Sequence, residues 1–92
     1  MRNNPAVRNF YVAVEADQDI LLYEDEIKAE KIGDILDFVI EQLQNMDCKI
    51  LNEEWICEDH ELLWIFRNQI IYGEDGSIHE LTVFIEELST GV

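Results

Sequence analysis

Apolar and polar residues alternate over Val7–Ala16, where Phe10, Val12 and Val14 interleave with Asn9, Tyr11, Ala13 and Glu15. A period of two marks a strand with one face buried. Ala16-Asp17-Gln18-Asp19 supplies turn formers, and Ile20–Tyr23 reads as a short return strand. The period then changes. Ile32, Ile35, Leu36, Val39, Leu43 and Met46 form one helical stripe, with Glu30, Asp34, Asp37, Glu41 and Gln44 on the opposite side. This predicts a helix over Glu30–Met46, stopped near Asn45, with Asp25 as the candidate cap ahead of it.

The second half reads as a three-stranded meander: Lys49–Ile56, Glu61–Tyr72 and Ser77–Leu88, with hairpins at 57–60 and 73–76. Gly73-Glu74-Asp75-Gly76 is a strong turn signal. The last segment has a rival: Ser77-x-x-Glu80 fits a capping box, and Ile78, Leu81, Ile85 and Leu88 fit a helical stripe. The run Thr82-Val83-Phe84-Ile85 favours a strand. The expected order is β-β-α-β-β-β, an α+β fold: a small antiparallel sheet with one amphipathic helix packed on one face. One domain is expected, ordered over about 7–88, with loose tails at Met1–Pro5 and Ser89–Val92.

The two hairpins assign the meander's faces. One carries Leu51, Trp55, Leu62, Trp64, Phe66, Leu81, Val83 and Ile85, the seat of the helix. The other is mixed, with Ile50, Leu63, Ile65 and Phe84 at its centre and Asn52, Glu54, Ile56, Glu61, Arg67, Thr82 and Glu86 around them. A single helix cannot cover both faces. The same register gathers Glu53, Glu54, Glu58, Asp59, Glu61, Glu86 and Glu87 at one end of the sheet, with His60 as the possible counter-charge. A solvated sheet end is the plain reading of such a run. The functional reading is an acidic rim around an apolar patch, a docking surface made of Glu54, Glu58, Asp59, Glu61, Leu63, Ile65, Phe84 and Glu86.

Charge sharpens this picture. The 92 residues hold 21 Asp and Glu against 6 Lys and Arg, a net charge of −15. Direct binding to nucleic acid or an anionic membrane needs the opposite sign. Salt adaptation would also produce acidity, but such chains economise on large aliphatics, and this one has twelve isoleucines. Disorder is disfavoured by an apolar content of 48%. No apolar run approaches the ~20 residues of a membrane span, and Met1–Asn9 lacks a signal-peptide pattern, so a cytoplasmic location is expected. Cys48 and Cys57 are expected to stay reduced there.

Chemical motifs are sparse. Cys48, Cys57, His60 and His79 match no zinc spacing, and Asp17-x-Asp19 and Glu74-Asp75-Gly76 fall short of a calcium loop. Ser77 and Ser89 lack a plausible base, and the four glycines form no phosphate-binding loop. No catalytic residue, cofactor or metal is therefore expected. The leading expectation is a non-catalytic inhibitor or regulator that docks acid-first on a basic, nucleic-acid-binding protein, in the manner of nucleic-acid mimics, immunity proteins and anti-defence proteins. The alternatives are a small assembly subunit or homodimeric accessory protein whose acidity serves solubility, and a small enzyme or metal-binding protein.

Overall fold

The computed structural model describes residues 7–88; the two expected loose tails lie outside the described residues. β1 (Arg8–Ala16) and β2 (Ile20–Ala29) form a hairpin, followed by α1 (Ile32–Asn45). Then come β3 (Lys49–Ile50), β4 (Ile56–His60), β5 (Leu63–Ile71) and β6 (Ile78–Glu87). All strand pairs are antiparallel, in the order β2-β1-β6-β5, with β3 and β4 sharing the far edge of β5. The architecture is α+β, one curled sheet with one helix across its inner face, and the segment 78–87 is a strand.

The core follows from the two periods. Phe10, Val12 and Val14 from β1, Ile70 from β5, and Leu81, Val83 and Ile85 from β6 point inward and are buried. Ile35, Val39 and Leu43 of α1 close over them, and Cys48 completes the cluster. Trp64 packs edge-on against Phe10, and Trp55 against Phe66, with ring centroids 6.2 and 6.4 Å apart. The helix ends in a Schellman turn. Asp47, at φ 61°, occupies the left-handed position, while Cys48 N–H reaches Leu43 O at 2.9 Å and Asp47 N–H reaches Gln44 O at 3.0 Å.

Three expectations need correction. β2 runs six residues past Tyr23, because Glu24, Asp25 and Glu26 pair with Ala13, Val12 and Tyr11 despite their poor strand propensity. Asp25 therefore caps no helix: it lies within β2, accepting from Glu26 N–H and the Tyr23 hydroxyl, and α1 starts after Lys31 with no side-chain cap. The second correction concerns 57–60, which form a strand, not a turn. The hairpin closes at Glu61-Leu62, and Ile56 pairs with Arg67, not Glu61.

The third correction follows from a break in the edge strand. Ile50 pairs with Ile70 and Ile56 with Arg67, so six residues advance where the partner advances three. The three extra residues bulge out between Leu51 and Trp55. An odd excess inverts the faces across the break. Ile50 accordingly packs against the core, not on the mixed face, while Leu51 lines a groove with Arg67 and Gln69. Leu62, expected under the helix, is 54% exposed in the turn. The β5–β6 register, with Leu63 opposite Glu86 and Ile71 opposite Ile78, is the one the Gly73–Gly76 turn implies. Long strands under a shorter helix give an elongated body of 54 × 22 × 21 Å.

Candidate functional site

Register assigns the outer face row by row. Glu26, Tyr11, Glu86, Leu63 and His60 form one row across β2, β1, β6, β5 and β4. Glu24, Ala13, Phe84, Ile65 and Glu58 form the next, and Leu21, Glu15, Thr82, Arg67 and Ile56 the third. The middle of this face is apolar and half-buried by its own neighbours: Ala13 is 7% exposed, with Ile65 and Phe84 intermediate. Carboxylates stand at its margins. Glu24 on β2 and Glu58 on β4 are four strand spacings apart, about 19 Å in a flat sheet.

Five of the expected docking residues, Glu58, Leu63, Ile65, Phe84 and Glu86, share this face. Glu61 lies in the turn at its end. Asp59 is opposite Trp64, on the helix side. Glu54 falls in the bulge beside Asn68 and Gln69, at least five strand positions from the Glu86 row, roughly 17 Å. Glu53 falls in the same bulge, and Glu87 is bound by Arg8 at 3.1 Å. The single acidic sheet end is therefore dispersed. Glu58 lies 3.3 Å from His60 and is paired with the Arg67 guanidinium.

A second group of carboxylates lies on the β1–β2 side. The Tyr11 hydroxyl donates to Glu24 Oε2 at 2.6 Å. This bond raises the Tyr11 pKa above the ordinary phenol value, with smaller contributions from desolvation and from the charges of Glu24, Glu15 and Glu86. One carboxylate thus bonds the phenol that borders the apolar strip, and the charges of two more, from β1 and β6, act on it. A return strand that ends at Tyr23 leaves Tyr11, Glu15, Glu24 and Glu26 outside the expected site. Extending the alternation through Glu24 and Glu26 would have put both on the outer face.

Two grooves flank the bulge. The outer one, about 680 Å³, is lined by Leu51, Asn52, Glu53, Glu54, Ile56, Arg67, Asn68, Gln69 and Glu80. Its donors are already engaged: Arg67 with Glu58, Gln69 with Glu80 at 3.0 Å, and Asn68 with Asn52. The inner one, about 410 Å³, lies against Ile40, Cys48, Ile50 and Trp55.

The histidines and cysteines are separate features. His79 binds Asp17 Oδ2 through Nδ1 at 2.6 Å and lies against Tyr72 with centroids 4.3 Å apart. Asp17 Oδ1 also accepts from Glu80 N–H, which ties the β1–β2 turn to β6. The His79 hydrogen bond, then the Glu80 one, holds the Asp17 carboxyl below its ordinary pKa. Cys48 is buried, its thiol pushed up by desolvation, and Cys57 is exposed; both are free. Among the described residues, no three His, Cys, Asp or Glu side chains converge as a metal site would require, and no helix is long and apolar enough to cross a membrane. The chain matches no known protein family, no curated protein and no solved structure.

Proposed function

We propose that this protein is a non-catalytic interaction protein, an inhibitor or regulator, whose outer sheet face docks on a basic protein. The observation that supports this is the composition of that face. An apolar strip of Ala13, Ile65 and Phe84 is bordered by Glu24, Glu26 and Glu86, and the Tyr11 phenol stands in the field of Glu24, Glu15 and Glu86. An apolar centre with a charged rim is the usual anatomy of a protein interface. Its sign selects a cationic partner and disfavours a second copy, since each copy carries −15.

The test compares two triple charge reversals. Glu24→Lys, Glu26→Lys and Glu86→Lys alter the outer face, while Asp34→Lys, Asp37→Lys and Glu41→Lys alter the exposed side of α1. Each takes the net charge from −15 to −9. The association rate with a basic protein purified from cell lysate should fall about 10- to 1,000-fold for the first triple at low salt and converge with wild type at high salt. Equal losses from both triples would mean that bulk charge alone acts. Dimers by sedimentation would redirect the face to self-association.

A further inference from the structure

We infer that the partner's receiving surface is a duplex-binding channel, and that the protein occupies it in place of double-stranded nucleic acid. This rests on the docking reading above and adds shape to charge. The body is 54 Å long with a cross-section of 22 × 21 Å, close to the width of a B-form duplex. A DNA strand places one phosphate per about 3.4 Å of axis, so 54 Å corresponds to about 16 phosphates on one strand. The protein carries a net −15 over that length. Its charge per unit length therefore approximates one strand of a duplex, on a rigid body of duplex width.

On the outer sheet face the carboxylates occupy six strand positions, about 20 Å of that length. The outer face carries carboxylates from Glu26 and Glu86, through Glu24 and Glu15, to Glu80. On this face Arg67 is committed to Glu58, and Lys28, two residues beyond Glu26 on β2, stands as an exposed cation at the end of the acidic run. Recognition through the β2 edge fits less well, because the Glu26 N–H that an added strand could use already donates to Asp25 at 2.8 Å. A cationic channel shaped for a duplex meets the rod along its length, and the apolar strip adds contacts that a duplex does not offer.

The experiment is competition with duplex DNA of graded length. The purified basic partner is held at its dissociation constant with labelled protein, and duplexes of about 8, 16 and 24 base pairs are titrated in, the middle length matching 54 Å at 3.4 Å per pair. Displacement should be at least about tenfold weaker for the shortest duplex and should level off at the middle one. The outer-face triple should be displaced by lower DNA concentrations than wild type, and the α1 triple by concentrations near those for wild type. A complex that withstands saturating duplex of every length overturns the channel assignment and leaves the docking reading standing. If purified basic proteins give no complex at all, both fail. Displacement that depends only on total phosphate, with no plateau in length, also overturns the assignment.

Discussion

Asn68 is the one buried polar side chain among the described residues, and its amide does the work of a missing strand partner. Its Oδ1 accepts from Asn52 N–H at 3.2 Å and its Nδ2 donates to Asn52 O at 3.0 Å, closing the break between β3 and β4. Asn68→Leu keeps the branched shape and orphans both backbone groups, so urea denaturation should show a loss of about 1–3 kcal/mol. Asn52→Ala removes only a side-chain donor and should cost less than about 1 kcal/mol; equal losses would refute the strand-surrogate role. Asp17 makes a second residue-scale prediction. Its folded pKa lies below the ordinary 3.8, so its contribution is present above 3.8 and is lost as pH falls through the folded value. Asn tolerates the Asp17 backbone, φ 55°, so Asp17→Asn isolates the carboxylate. Its melting temperature should fall below wild type at neutral pH, with the gap closing as the pH is lowered through the acid range. A gap that stays constant with pH would assign the effect to something other than the ionised carboxylate.

At the scale of elements, α1 is held by packing more than by its ends. Its N-cap is Lys31, which makes no capping bond and places a cation at the positive end of the helix dipole. At the other end, a non-glycine residue occupies the left-handed position at Asp47. Lys31→Ser and Asp47→Gly should each stabilise by about 0.5–1 kcal/mol, and together they should add, since the sites are remote. Chemical denaturation checks both. The helix and the β5–β6 hairpin were legible because each rests on local signals, a long apolar stripe and a Gly-bounded turn. The far edge was not. Cys57-Glu58-Asp59-His60 is polar enough to read as a turn, yet pairing with β5 makes it a strand. Ile50 departs from its expected face because three extra residues in the bulge invert the faces, an effect no local pattern reports. The docking face was half legible for the same reason: Ile65, Phe84 and Glu86 follow from the β5–β6 turn, whereas Glu24 and Glu26 required knowing that β1 draws β2 onward.

For the whole molecule, charge is the dominant long-range term. Two of the five cations in the described residues, Arg8 and Arg67, are in ion pairs with Glu87 and Glu58, and most carboxylates stand exposed along the rod. Their mutual repulsion destabilises the native state at low ionic strength, and salt shortens its reach from about 30 Å at 0.01 M to about 8 Å at 0.15 M. The melting temperature at neutral pH should therefore rise between about 20 and 300 mM sodium chloride. A flat or falling curve in differential scanning calorimetry would mean that the carboxylates are spaced widely enough not to matter.

The strand order has a consequence for how the chain reaches this state. β6, last in sequence among the described strands, is central in space: it joins β1 on one side, Phe10 against Glu87, and β5 on the other. Until it arrives, the β1–β2 hairpin has no partner across the sheet, and half of the buried cluster has no floor. The decisive contacts span nearly the full chain, the type that slows folding most because loop closure precedes any return. During synthesis, residues 78–87 emerge after everything they join. The earlier strands therefore wait with apolar faces uncovered, and β1 and β5, with net charges of 0 and +1, have little repulsion of their own to keep them apart in that interval.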